Sequence, residues 1–268
     1  MKKIIVCFLT VLLGISTAFA QETTTETPKA KRAQKQVTIK DPGIGHRINF
    51  SLAFAPTIDW MFPASNGMER NGTTIGMRYG VGINVNLTKR KNFYASSGIF
   101  MEQLGGKLRF IDNILIPISL ENIVLNTTEI QRNYQAYYLT IPLGVTLKTN
   151  SIHNFFIVGN VGLYNSLRLS AFNADTYTFK NWQTGEPEYW SRQRVKSDEV
   201  ALFKESIYGG LGVEYSITRN FRAGLTVNYV HSLTNYFKGN GNAQNNFTHE
   251  NQKAKLGYLE IALNINFF

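Results

Sequence analysis

His231 and Ser232 stand side by side, and a histidine and a serine are the residue types from which a hydrolase or acyl transferase builds its base and nucleophile. In an extended segment, however, neighbouring residues point to opposite faces. His231 then falls with Val227 and Tyr229 while Ser232 faces the other way, so the two form no dyad without a bulge. A His-x-Ser spacing is absent, and no carboxylate stands where it would orient His231. His46, His153 and His249 are dispersed at segment ends and loops, a pattern that gathers no metal. Gly80-Val81-Gly82 lies inside a strand-like run and not at a helix start, so no phosphate loop is implied. The expectation is a protein that is not an enzyme, with no cofactor and no metal.

A second set of residues has electrostatic chemistry to do. Arg78, Glu102, Arg168, Glu214, Arg222 and Glu260 fall in the polar phase of alternating segments, among many Asn, Ser and Thr. A hairpin centred near Arg90 sets Arg78 opposite Glu102, and Glu214 and Arg222 flank a turn at 218–220. Opposite charges so placed build a hydrogen-bonded plug in which each offsets the other's burial. A proton or solute path is the lesser alternative. A third set lies between the strands, where Trp182, Tyr189 and Trp190 sit near Arg192, Arg194 and Lys196. That combination can stack on sugars or hold phosphates of surface polysaccharide or lipid A, or pack as an ordinary loop.

The elements that must position these residues are strands. The chain has 268 residues, of which 17% are charged against roughly 25% in an average soluble domain, with 22 Gly, 18 Phe and 13 Tyr. Tyr79, Val81, Ile83, Val85 and Leu87 alternate with Arg78, Gly80, Gly82, Asn84 and Asn86, and the same period recurs from Tyr137 to Leu147 and from Leu259 to Phe267. Eight such segments are read at 45–57, 73–88, 92–109, 133–149, 154–170, 202–217, 221–237 and 253–267. Each exceeds the roughly 9–11 residues with which a tilted strand crosses a bilayer core. Short and long connections alternate, and Tyr79, Phe93, Tyr137, Phe155, Tyr215, Phe221 and Phe237 gather near segment ends as interfacial girdles. The fold expected is an all-β, eight-stranded antiparallel up-and-down transmembrane β-barrel over residues 44–268. A soluble β-sandwich or lipocalin-type barrel, with its apolar face turned inward, is the competing architecture. Pro142 interrupts one segment, where a bulge is expected.

Residues 1–20 carry Lys2 and Lys3, an apolar stretch and Ala18-Phe19-Ala20, the pattern of a secretory signal peptide. Cys7, the single cysteine, lies within it, so the exported chain holds no thiol chemistry. Residues 21–43 are Thr-rich and then basic, and read as a disordered periplasmic leader. The formal charge of +10 alone does not choose a partner, but export excludes nucleic acid. The long connection 110–132 is unusually apolar and either docks a partner or extends the strands beside it.

The final residues, Glu260-Ile261-Ala262-Leu263-Asn264-Ile265-Asn266-Phe267, resemble the C-terminal assembly signal of outer-membrane barrels, with Glu260, Ala262, Ile265 and Phe267 at its marked positions. Ala262 replaces the usual Gly, and Phe268 follows the in-phase aromatic. Tyr138-Leu139-Thr140-Ile141-Pro142-Leu143-Gly144-Val145 resembles the Y-L-x-I-P-L strand of the Bacteroidetes outer-membrane β-barrel family that includes the PorT-like proteins. Gly210 to Tyr215 and Asn228 to Leu233 are similar to late strands of the same family. The resemblance implies an eight-stranded barrel inserted by the barrel assembly machinery, and for some members an accessory role in type IX protein secretion. The functional expectation is a barrel in the cell outer membrane with a filled lumen and long extracellular loops. It would act in envelope structure or in binding an envelope protein, in contact with outer-membrane lipid and lipid A. A PorT-like secretion factor and a lipid A modifying enzyme are the alternatives.

Overall fold

Alternation at period two gives each segment one greasy and one polar face, and antiparallel pairing then rolls eight segments into a ring. In the computed structural model the described residues are 48–65, 67–88, 92–110, 114–116, 125–180, 186–218, 220–238 and 253–267. The signal peptide and the leader read from the sequence lie outside them. The strands are β1 (Ile48–Pro63), β2 (Met68–Arg70), β3 (Thr74–Asn86), β4 (Phe93–Phe110), β5 (Ile114–Ile116), β6 (Leu125–Lys148), β7 (Phe155–Lys180), β8 (Pro187–Lys196), β9 (Phe203–Thr218), β10 (Phe221–Ser232) and β11 (Ala254–Phe267). β1 pairs with both β3 and β11, so the order β1-β3-β4-β6-β7-β9-β10-β11 closes on itself with every neighbour antiparallel. Closure leaves no unpaired edge, which is what a strand assembly in lipid requires. β2, β5 and β8 lie off the ring on β4, β6 and β7.

The faces sort as the alternation demands. Phe54, Val81, Ile99, Leu143, Val161, Leu211 and Leu263 are exposed around the outer wall, while Arg78, Glu102, Thr140, Ser206, Asn228 and Glu260 are buried inside. An apolar exterior and a polar interior is the membrane-barrel arrangement and the reverse of a lipocalin. At the short-turn end Phe155 meets Tyr215 and Phe221 meets Phe267, with ring centroids 4.8 and 5.6 Å apart. At the other end Trp60 stacks on Tyr229 at 6.2 Å and Phe62 lies against His231 at 5.4 Å.

Several boundaries differ from the sequence reading. β1 continues to Pro63, β6 begins at Leu125 and β7 runs to Lys180, so part of three of the long connections is extra strand. Thr176-Tyr177-Thr178-Phe179 has the alternation and residue types that prolong a strand, and β8 pairs alongside it within what the sequence presents as a loop. In the other direction, the segment read as strand to 237 leaves the ring at Ser232. Tyr236 and Phe237 are both buried. Two consecutive residues of a strand face opposite sides, so burying both requires the chain to turn inward. Main-chain bonds from Tyr236 N to Ala254 O and from Ala201 N to Tyr236 O, each 2.8 Å, hold it there. Phe237 is therefore an interior residue and no part of a girdle. Pro142 also behaves differently from expectation. The β4–β6 pairing lapses between Ser96↔Gly144 and Phe100↔Thr140 without a change of register, while the bulge lies between Tyr137 and Tyr138 on the β7 side. The missing N–H removes a rung but shifts nothing.

Close packing inside the ring depends on residues without a side chain. A Cβ on Gly162 would lie 2.6 Å from the Gly144 Cα and 2.8 Å from the Tyr208 ring, which itself stacks 4.2 Å from Tyr164. Gly162→Val is expected to destabilise the fold by about 1–3 kcal/mol, the range for overpacking a filled interior, measured as a shifted urea midpoint in detergent micelles. An unshifted midpoint would mean that the β6 backbone at Leu143 and Gly144 and the Tyr208 ring all have room to move.

Candidate functional site

The charges of two interior ion-pair centres come from five strands, β3, β4, β6, β9 and β11, whose inward phase is fixed by the greasy face opposite. Arg78 on β3 donates through Nη1 to both Glu260 oxygens on β11, at 2.9 and 3.1 Å, and to the Tyr164 hydroxyl on β7 at 2.9 Å. Its Nε lies 3.4 Å from Glu102 on β4, directly across the register pair Arg78↔Glu102. Lys204 on β9 completes the cluster with an Nζ 3.2 Å from the other Glu102 oxygen. Two cations thus face two carboxylates, and Asn228 donates to Glu260 at 3.0 Å. The guanidinium is sandwiched between Phe100 and Tyr164, 3.9 and 4.3 Å from their centroids. A second centre lies toward the short-turn end. Lys148 donates to both Glu214 oxygens at 2.7 and 2.9 Å, and Asn266 donates to the same carboxylate at 3.2 Å.

Of the six charges expected in the lumen, Arg78, Glu102 and Glu260 come together. Glu214 lies opposite Gly224 and Arg222 opposite Ser216, because the register shifts at Phe221/Arg222. Arg222 stacks on Phe156 at 4.2 Å. Arg168 turns away to donate to the Val200 carbonyl at 2.6 Å. Lys148 and Lys204 were missed, although both sit in the inward phase of their strands. Between these groups remains a cavity of about 110 Å³ bordered by residues such as Asn84, Ser96, Asn160 and Asn264, a space for a few waters.

Toward the long-loop end the interior changes character. Tyr134, Tyr138, Tyr236, Phe237, Leu256 and Tyr258 form a buried apolar cluster, with Tyr134 5.1 Å from Phe237 and 5.9 Å from Tyr236. Above it, beyond the outward Tyr137 where the apolar band ends, Arg132 holds Asp175 through two bonds of 2.6 and 2.8 Å and Glu199 through bonds of 3.0 and 3.1 Å. The Tyr134 hydroxyl donates to Glu199 at 3.1 Å. Burial pushes this phenol well above its ordinary pKa, with Glu199 acting in the same direction and Arg132 against it.

His231 lies on the outer wall in contact with Phe62, whereas Ser232 is buried inside and its hydroxyl donates to the Glu205 and Thr234 carbonyls at 3.3 and 3.0 Å. The strand parity that separates them in sequence separates them in space. Among the described residues no three His, Cys, Asp or Glu gather to hold a metal. Of the aromatic and basic set, Trp182 lies outside the described residues. Tyr189 is exposed opposite Thr178, Trp190 pairs with Tyr177 and Arg192 with Asp175 along β8. Arg194 lies flat on Phe172 at 4.0 Å and 5.9 Å from the Tyr137 ring. Within the C-terminal signal, Glu260 and Ala262 face inward and Ile265 and Phe267 outward on β11, the strand that closes the ring against β1.

A ring of eight antiparallel strands, greasy outside and charged inside, with short turns at one end and long connections at the other, defines an outer-membrane type of barrel. The chain belongs to the outer membrane protein beta-barrel domain family, whose family model matches residues 19–238. That membership places it in the outer membrane. No curated protein matches the chain. Similar solved structures include Neisserial surface protein A, at 8% identity and a TM-score of 0.40 over 83% of this chain and 97% of that one. The attachment invasion locus protein Ail of Yersinia pestis is 13% identical, with a TM-score of 0.31 over 83% of this chain and 100% of that one. The outer membrane protease OmpT of Escherichia coli is 9% identical, with a TM-score of 0.40 over 82% and 96%.

Proposed function

We propose that this protein is a non-enzymatic, solute-tight outer-membrane barrel that acts in envelope structure or holds an envelope partner at its long-loop end, which faces outward. The observation that carries this reading is the doubly filled interior, a neutral charge cluster beneath an aromatic cluster. Eight strands enclose a space just wide enough for side chains, and both halves of that space are occupied here. In proteoliposome swelling assays the protein is expected to admit no sugar above the lipid background, and porin-like uptake would overturn the filled-lumen reading. The C-terminal strand supports insertion by the barrel assembly machinery, and outer-membrane lipid and lipid A are the surrounding partners.

A PorT-like accessory role in type IX secretion is the second reading, favoured by the Tyr138–Val145 motif on β6. Mild crosslinking in the native cells separates the two. Secretion components in the eluate, with cargo trapped in the periplasm after deletion, would establish the accessory role. Normal secretion without the gene would remove it. The opposite faces taken by His231 and Ser232 weigh against lipid A modification.

A further inference from the structure

We propose that the outer wall beside β8 binds the phosphate headgroup of an anionic lipid in the outer leaflet, with Arg194 as its principal contact. The proposal rests on the membrane reading above and gives it a ligand class. Arg194 is exposed, with its guanidinium face on Phe172 and near Tyr137. Stacking leaves the N–H edge of a guanidinium free to receive an anion in a bidentate fashion. Among the described residues the carboxylates that form ion pairs do so with Arg78, Arg109, Arg132, Lys148 and Lys204, and none of these pairs involves Arg194.

Position supplies the second argument. Leu147, Val145, Leu143, Ile141, Leu139 and Tyr137 form the outward row of β6, and Tyr137 is its last member before polar Gln135. Arg194 therefore stands where headgroups meet the apolar band. Next to it an open groove of about 570 Å³ runs over Met101, Tyr137, Leu169, Ser170 and Phe172. An acyl chain lying on Met101 and Leu169 brings its headgroup to Arg194 and the Ser170 hydroxyl. Exposed Lys196, opposite Phe172 in the register, adds a second cation.

The backbone is irregular at this place on both strands. One register shift sets Tyr137 opposite Ser170 but Tyr138 opposite Arg168, leaving Leu169 as the extra, outward residue. Another sets Asn173 opposite Val195 but Asp175 opposite Arg192, which places Arg194 in the bulge of β8. Bulges re-aim side chains, and these two aim an apolar residue and a cation into one groove.

The test uses the full protein refolded into detergent micelles and read by native mass spectrometry, after gel mobility has shown a folded barrel and vesicle insertion has been scored. Failure to insert would overturn the membrane reading itself, before any ligand is added. The probes are diphosphorylated lipid A, the same lipid dephosphorylated, and inorganic phosphate. The expected result is a lipid A adduct on the wild type that weakens at least about tenfold in Arg194→Gln, the scale of one charge-assisted hydrogen bond. Dephosphorylating the lipid should weaken wild-type binding similarly and add little in the variant. Arg194→Lys is expected to recover part of the loss, and Arg109→Gln, whose guanidinium is already engaged by Glu69, should leave binding unchanged. Equal binding by wild type and Arg194→Gln would overturn the proposal. So would displacement of the lipid by millimolar inorganic phosphate, which would mark a free-anion site.

Discussion

Arg78→Met is expected to lower the stability of the folded barrel by about 3–5 kcal/mol, the cost of leaving a buried charge without its partner. The wild-type cluster is balanced, because Arg78 and Lys204 face Glu102 and Glu260, and all four are buried. Without the guanidinium, Lys204 still serves Glu102, but Glu260 retains only Asn228 and the distant edge of the Tyr164 hydroxyl at 3.5 Å. The aromatic sandwich of Phe100 and Tyr164 would lose the group it encloses, although Met fills part of that volume. The sign can be checked by a second change. Arg78→Met with Glu260→Gln removes one charge of each sign and is expected to recover more than half of the loss, since a matched neutral pair costs much less than a stranded ion. Urea unfolding in micelles, followed by tryptophan fluorescence, reads both. A single-variant loss below about 1 kcal/mol would mean that the neighbouring cavity hydrates Glu260, and the cluster would then be a wet interior and not a plug.

This central cluster is also the part of the site most legible in sequence. Once the strands alternate, Arg78, Glu102 and Glu260 must share the inward phase, and a hairpin about Arg90 sets the first two across from each other. That inference needs only periodicity. Lys148 and Lys204 obey the same rule but sit near strand ends, where a lysine reads equally well as a solvated terminus, and their burial depends on how far the ring extends. Register is less visible. The bulge at Phe221/Arg222 moves Arg222 opposite Ser216, and no residue type in that turn announces it. Least legible is the inward fold of 233–238. Tyr236 and Phe237 look like continuing strand because local pattern cannot show that a cavity between Tyr134, Val200 and Ala254 awaits them. Likewise β8 lies in a stretch dense in charge and aromatics, and only its partner β7 makes it a strand. Tertiary context overrides local preference at each of these places.

Arg132→Met should separate the two ends of the molecule. Arg132 is as buried as Arg78 and has two carboxylates of its own, Asp175 and Glu199. The chemistry of the loss is similar, but its location differs. Arg78 is enclosed in the ring, whose strands cannot part without unfolding the whole. Arg132 lies above the outward row that ends at Tyr137, where β6, β7 and β8 project beyond the apolar band and water is one opening away. Asp175 and Glu199 can then escape by local separation of β7 from β8 and of the 233–238 segment from its seat, leaving the ring intact. The expected result is an unchanged global unfolding midpoint with a hundredfold faster tryptic cleavage at the long-loop end, corresponding to about 3 kcal/mol of local stability. Arg132→Lys retains the charge but cannot reach both carboxylates in the forked geometry, so it is expected to fall between. If Arg132→Met instead lowers the global midpoint as far as Arg78→Met does, the extension and the ring unfold as one unit. In that case the aromatic cluster beneath Arg132 couples them, and the long-loop end would be a rigid continuation of the barrel wall.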